Sequence, residues 1–139
     1  MTSLQATGSA CVPRAVEEIL YFTDREGLPL HGANLYVLSF DAFRTPHRPG
    51  GFWELSVCAP SGTVPADGPI TLRLGTRSDR LRPSADGTLT VALSADRPRT
   101  PVANWLPVPD SPFTVMHRTY FPGSAVIDGT YRYPSLERT

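Results

Sequence analysis

Glu54 and His117 are the side chains of this chain best suited to moving a proton, and each interrupts an otherwise apolar pattern. Phe113, Val115, His117, Thr119 and Phe121 fall on one face of an extended segment, because successive side chains of a strand alternate between faces. His117 and Thr119 therefore put two polar groups into a series of aromatic and aliphatic ones. A buried polar group left unpaired costs roughly 1–3 kcal/mol, so this pair must find partners or open onto a cavity. The plain alternative is a core histidine bonded to a carbonyl. Glu54 stands inside a second alternating segment, Phe52 to Cys58. On a solvated face it is an ordinary surface charge. Facing a cavity, its carboxyl would be desolvated and shifted toward the neutral acid that acid/base catalysis uses. Tyr36, Phe52, Met116 and Tyr120 are expected to line that same cavity if the strands pair as the pattern suggests. Aromatic, thioether and carboxyl groups together suit a hydrophobic small molecule carrying a few oxygens. The expected roles are catalytic for Glu54 and His117, and substrate-binding for Tyr36, Phe52, Trp53, Met116, Thr119 and Tyr120.

Other chemistries lack their residues. All 13 basic side chains are arginines, which excludes Schiff-base catalysis by a lysine amine and a lysine-dependent phosphate loop. His31, His47 and His117 lie far apart, and none belongs to a short His/Cys/carboxylate spacing, so neither a metal nor another cofactor is expected. Ser61 before Gly62 has no nucleophile-elbow context, and Cys58 has no basic neighbour to favour its thiolate. Arg77, Arg80 and Arg82 surround Asp79 and read as a solvated loop rather than an anion site. Acidic side chains also number 13, so no net field exists to hold a polyanion, and nucleic acid is not an expected partner. Cys11 and Cys58 sit in unlike contexts and read as free thiols rather than a disulfide framework. No apolar run approaches the roughly 18–20 residues that cross a bilayer, and Met1 to Ala10 lacks the pattern of a secretory signal. A cytoplasmic protein without a membrane partner is expected. The lysine-free composition, rich in Arg, Ala, Pro and Gly, fits GC-rich coding of the actinobacterial kind.

The elements that must position these residues are strands. A chain of 139 residues suits one domain, which buries about two thirds of the surface its unfolded form exposes. Residues 1–13 are small, polar and without period, and read as a flexible leader; residues 14–139 read as a single β domain. Leu35 to Phe40, Phe52 to Val57, Ile70 to Leu74 and Thr88 to Leu93 all alternate with period two. Fifteen prolines and eleven glycines punctuate them and leave no room for long helices. The fold expected is all-β: an antiparallel β-sandwich or jelly-roll-like barrel with long Pro-rich loops and little helix. Pro98 to Pro112 is long for a connection, with Trp105 in its middle, and such loops are often functional or cover a cavity.

Three clusters in fixed order carry a resemblance. They are Asp86-Gly87-Thr88-Leu89-Thr90; Asn104-Trp105-Leu106-Pro107 with Pro112-Phe113; and Arg118-Thr119-Tyr120 followed by Asp128-Gly129-Thr130. Together they resemble the C-terminal signature of the bacterial family known as domain of unknown function 1214. The likeness extends more weakly through Asp24, Gly27, Leu30, Gly32 and Tyr36 to Phe52-Trp53, covering roughly residues 20–135. It implies a β-rich, jelly-roll-like domain with no settled chemistry. With the turn-like Asp24 to Gly27 cluster, it tips the ambiguous segment Ala15 to Thr23 toward a strand. In that family the face holding His117 and Thr119 is usually apolar throughout, and the position of Glu54 tends to carry a small hydroxyl residue. Both are therefore departures. Members also often carry a further upstream domain.

What remains by elimination is a reaction needing a shaped cavity, one acid or base, and aromatic walls. A cofactor-independent cyclase or isomerase of secondary metabolism fits, forming or rearranging a ring within one hydrophobic, polyketide-like intermediate, because confinement in a reactive fold supplies several kcal/mol of a barrier. The alternative is a non-catalytic jelly-roll module that binds carbohydrate or lipid. An exposed Trp53 or Trp105 on a shallow face would favour sugar stacking, whereas rings around a deep apolar hole would favour the cyclase. A purely structural role in an oligomer, such as a homodimer, is a third reading. The Asn104 to Pro107 run is expected to be architectural, with Trp105 pinning the long loop and Asn104 satisfying its backbone.

Overall fold

Alternating polar and apolar residues make half-buried strands, and half-buried strands need a second layer to cover their apolar side. The computed structural model describes residues 16–41, 45–62, 73–75, 85–99 and 104–139. Within them the strands are β1 (Val16–Tyr21), β2 (Tyr36–Asp41), β3 (His47–Cys58), β4 (Arg73–Gly75), β5 (Thr88–Ser94), β6 (Trp105–Pro107), β7 (Thr114–Pro122) and β8 (Glu137–Arg138). The one helix among the described residues, α1, is the single turn Ser124–Ile127. The first sheet runs β1-β7-β3-β4 and the second β6-β5-β2-β8. Residue alternation sends Trp53, Leu55 and Val57 of β3 and Val115 of β7 inward. They pack there with Tyr36, Leu38 and Phe40 of β2 and Leu89, Val91 and Leu93 of β5. Burying each such side chain stabilises the sandwich by roughly 1.5–3 kcal/mol. The expected all-β sandwich with little helix is what the chain forms.

One pairing departs from the antiparallel rule. β6 runs parallel to β5, with Ala92 opposite Trp105 and Leu93 opposite Leu106. The connection between them, residues 95–104, is long enough to bring the chain back alongside the last residues of β5, Ala92 to Ser94, in the same direction, which a hairpin turn is not. Asn104 is buried and donates from Nδ2 to the Thr90 carbonyl at 2.9 Å. Trp105 shares its indole N–H between Ser94 O (3.3 Å) and Ser94 Oγ (3.2 Å), and the Arg97 guanidinium stands 5.0 Å over its ring. Leu106 drops into the core. The run is thus an edge strand pinned by its own side chains.

The loop before β2 meets the segment after β6 at Gly32. A Cβ there would overlap the Pro109 carbonyl, so only glycine permits the approach. Asp24 shapes the turn after β1, its Oδ1 accepting from the amides of Glu26 (2.8 Å) and Leu28 (3.1 Å).

After α1 the chain crosses the end of the sandwich as a strap. Gly129 takes φ 83°, and Asp128 Oδ1 accepts from the Thr130 amide (3.0 Å) and hydroxyl (2.7 Å), closing the turn. The strap is tied down by Tyr21 Oη donating to Pro134 O (2.7 Å), Arg25 N to Leu136 O (2.8 Å) and Thr139 N to Leu35 O (3.0 Å). Leu136 joins the core, and β8 pairs with the start of β2.

The expected leader 1–13, Cys11, Ile70 to Thr71-Leu72, and the Arg77 to Arg82 cluster lie outside the described residues. Cys58 is a buried free thiol whose pKa burial raises. Among the described residues no helix is long and apolar enough to cross a membrane.

Candidate functional site

β7 is the middle strand of the first sheet's packed half, flanked by β1 and β3. Its inward residues after Val115 are His117 and Thr119. His117 lies opposite Ile19 on one side and Leu55 on the other, while Thr119 lies opposite Glu17 and Trp53. Both polar side chains are 0% exposed. Trp53 and Phe40 stack on each other with centroids 4.4 Å apart, the imidazole lies nearly parallel beside both (5.4 Å from Trp53 and 5.6 Å from Phe40), and Tyr133 from the strap meets it edge-on at 5.4 Å. Neither His117 Nδ1 nor Nε2 has a hydrogen-bond partner, and the same holds for Thr119 Oγ1 and Tyr133 Oη.

Burial sets the charge state here. Loss of water pushes the His117 pKa down to about 3, only partly opposed by its own backbone, so the ring is neutral at ordinary pH. Burial raises the Tyr133 phenol; nearby Thr119 draws it partly back, although the hydroxyls stop short of a hydrogen bond, and the Glu17 charge raises it again. The Tyr131 phenol is pushed up to about 12 by burial, then by Tyr133 and Asp41. Tyr21 is raised further still, again mainly by burial. The site is consequently built of neutral donors and acceptors.

An open cleft of about 620 Å3 adjoins this cluster. Its walls are Ser39, Phe40 and Asp41 at the end of β2, Thr45, Ala125 of α1, and Thr130, Tyr131, Arg132 and Pro134 of the strap. Phe40 and Tyr131 belong to both regions: Phe40 stacks on His117, and Tyr131 meets Tyr133 edge-on at 4.9 Å. Two rings thus stand between the cleft and the buried polar atoms.

The outer face of the same sheet gathers a different set. Tyr120 donates to Glu54 Oε1 at 2.9 Å and stacks on Phe52 with centroids 4.3 Å apart. Next to them Arg118 Nε donates to Glu18 Oε2 at 2.6 Å, and Met116 is nearly buried on this side. The arrangement is a polar and aromatic patch in which Glu54 is hydrogen-bonded rather than isolated.

Of the residues expected to form one cavity, the structure makes three groups. Glu54, Phe52, Met116 and Tyr120 are together on the outer face. Trp53, His117 and Thr119 are together in the core. Tyr36 shares the core with Trp53 but has its own partners: its hydroxyl accepts from the His31 amide (3.0 Å) and Asn34 Nδ2 (3.2 Å), and its ring meets Phe113 edge-on. The single shared cavity is therefore corrected to two faces of one sheet, because alternation along β3 and β7 sends even and odd positions to opposite sides. The remaining histidines have local roles: His31 Nδ1 accepts from the Ala33 amide, and His47 Nδ1 contacts Arg48 O at 3.0 Å.

A family model described as protein of unknown function (DUF1214) matches residues 17–124. This chain belongs to that family. No curated protein matches it. The VPA0106 protein of Vibrio parahaemolyticus is similar in structure, with TM-score 0.72 and 25% sequence identity over 90% of this chain and 31% of the other. An uncharacterized protein from Burkholderia cenocepacia shares the fold at TM-score 0.50 and 16% identity, over 89% of this chain and 28% of the other. The chain thus spans less than a third of the length of these two proteins.

The family match ends at residue 124, so the strap with Tyr131 and Tyr133 lies beyond it. Sequence reasoning passed over both tyrosines and Phe40. The available signal was the run Tyr131-Arg132-Tyr133-Pro134 with Leu136, which is too apolar for a free tail. It has no strand period, however, because its side chains are buried one at a time against the end of the sandwich.

Proposed function

We propose that this protein takes up a hydrophobic, oxygen-bearing small molecule at the Phe40–Tyr131 end of the sandwich and promotes its intramolecular cyclisation or isomerisation without a cofactor. The observation that carries the reading is His117: a neutral, fully buried imidazole without a hydrogen-bond partner, packed against the stacked pair Phe40–Trp53 beside a cleft. A neutral imidazole can donate one N–H to a carbonyl oxygen and accept at the other nitrogen. In a buried, low-dielectric setting such a bond is stronger than in solution. The larger effect would be confinement, since holding a flexible chain near its reactive geometry lowers the barrier without any strong acid or base. A polyketide-like intermediate has the required combination of apolar length and scattered oxygens. A ligand reaches His117 only when the Tyr131–Tyr133 edge moves aside.

A second reading, binding without chemistry, is favoured by one observation. Nothing is hydrogen-bonded to either His117 nitrogen, so the ring has no relay to return a proton. Within that reading lipid is favoured over carbohydrate. Trp53 is 2% exposed in the core, and Trp105 is half-buried beneath Arg97, so neither offers the open face on which a sugar stacks.

The two readings separate in one assay. Linear polyene and β-keto compounds are incubated with the protein or with a heat-denatured control, and the mixtures are resolved by chromatography with mass detection. Rearrangement gives a product of unchanged mass and altered retention. Retention of the compound by the protein with no new product supports the binding reading, and neither effect defeats both.

A further inference from the structure

Nearly all buried polar atoms in folded proteins have a partner, and each exception calls for a reason. Among the described side chains the exceptions are clustered: both His117 nitrogens, Thr119 Oγ1 and Tyr133 Oη. They are not scattered packing faults. They sit on two elements, β7 and the strap, and converge behind the rings of Phe40 and Tyr131, which also form the cleft wall. Replacing such groups by apolar ones of like shape is neutral or stabilising, so they add no stability to the fold.

We propose that His117, Thr119 and Tyr133 recognise the carbonyl or hydroxyl end of an uncharged hydrophobic molecule, whose apolar remainder occupies the cleft beside Phe40 and Tyr131. The inference rests on the small-molecule reading above, and adds the charge state of the ligand and the direction in which it lies. An imidazole and two hydroxyls offer both donors and acceptors and carry no charge, matching a ketone, ester or alcohol. A carboxylate is opposed. The imidazole is not protonated to meet it, and the Glu17 and Asp41 charges already act on Tyr133 and Tyr131. Arg132 lies on the cleft wall but is exposed, so it attracts anions to the mouth of the cleft and not to its end.

Three matched probes test this: benzylacetone, hydrocinnamate, which replaces the methyl ketone by a carboxylate, and n-butylbenzene, which lacks oxygen. Affinity is measured by calorimetry, and the His117 ring nitrogens are followed by nitrogen NMR. Benzylacetone should bind the wild type roughly tenfold tighter than either analogue and shift the His117 nitrogens. In Thr119→Val and in Tyr133→Phe the melting temperature should hold or rise while the preference over n-butylbenzene shrinks toward unity. The conservative pair keeps the test open should His117→Phe fail to fold. Equal binding of benzylacetone and n-butylbenzene with His117 unmoved would overturn the polar site yet leave the small-molecule reading standing. Tightest binding of hydrocinnamate overturns the uncharged class. Binding of none of the three defeats both the inference and the reading beneath it. A fall in melting temperature of several degrees in both conservative variants assigns these polar atoms to the fold, and the inference with it is lost.

Discussion

Glu54 and His117 stand on adjacent strands of one sheet and point to opposite sides of it. In the β3–β7 register Glu54 is opposite Arg118, and Leu55 is opposite His117, so a one-residue offset separates the two by the thickness of the sheet. Their surroundings differ accordingly. Glu54 is bonded to Tyr120 among other polar side chains, whereas His117 is enclosed by rings. They cannot act on one bound molecule from both ends.

Variants at the two positions should therefore behave differently. His117→Phe should remove any oxygen-dependent ligand response, measured by calorimetry. Glu54→Gln should keep that response and lower stability by about 1 kcal/mol, through the weakened bond from Tyr120, measured by urea unfolding. The opposite pattern would move the site to the outer face of the sheet.

Acid should destabilise the protein through His117. Its pKa falls from 6.5 in the unfolded chain to about 3 in the fold, so the unfolded state binds the extra proton first. Stability is then full above about pH 6.5 and declines as pH drops toward 3, by up to about 1.4 kcal/mol per pH unit. Urea unfolding at a series of pH values should give a steeper acid limb for the wild type than for His117→Phe. Parallel limbs would mean that His117 takes up its proton within the fold.

The β6 run should act through stability alone. Trp105→Ala removes a half-buried indole and its bond to Ser94, at a cost of about 2–3 kcal/mol. Asn104→Ala leaves the Thr90 carbonyl without its buried partner and should cost about 1–3 kcal/mol. Both are read from chemical unfolding, with benzylacetone affinity of the folded fraction unchanged. Loss of affinity at full stability would place Trp105 in the site.

Tyr21→Phe should loosen the strap. The lost bond to Pro134 is worth about 1 kcal/mol, and it tethers the segment that carries Tyr131 and Tyr133. Amide hydrogen exchange should quicken through residues 131–136 with little change in β3 or β5. Uniform acceleration would show instead that the strap opens only with the whole fold.

Much of the sandwich was legible in the chain because strand signals are local. Trp53, Leu55 and Val57 alternate with Glu54 and Ser56 in the sequence, and that alternation alone assigns them to one buried face. The turn at Asp128-Gly129-Thr130 is equally local, since a side-chain oxygen caps an amide two residues on. The oddity of His117 and Thr119 could also be read directly, as polar residues at apolar positions. What covers them could not. Tyr133 reaches His117 only because the last segment folds back across the sandwich end, through bonds from Tyr21, Arg25 and Thr139 to residues distant in sequence. The division of Glu54 from His117 likewise depends on the pairing register between two strands, which local pattern constrains on each strand but does not join. Period fixes which residues share a face; only packing between distant segments decides what that face meets.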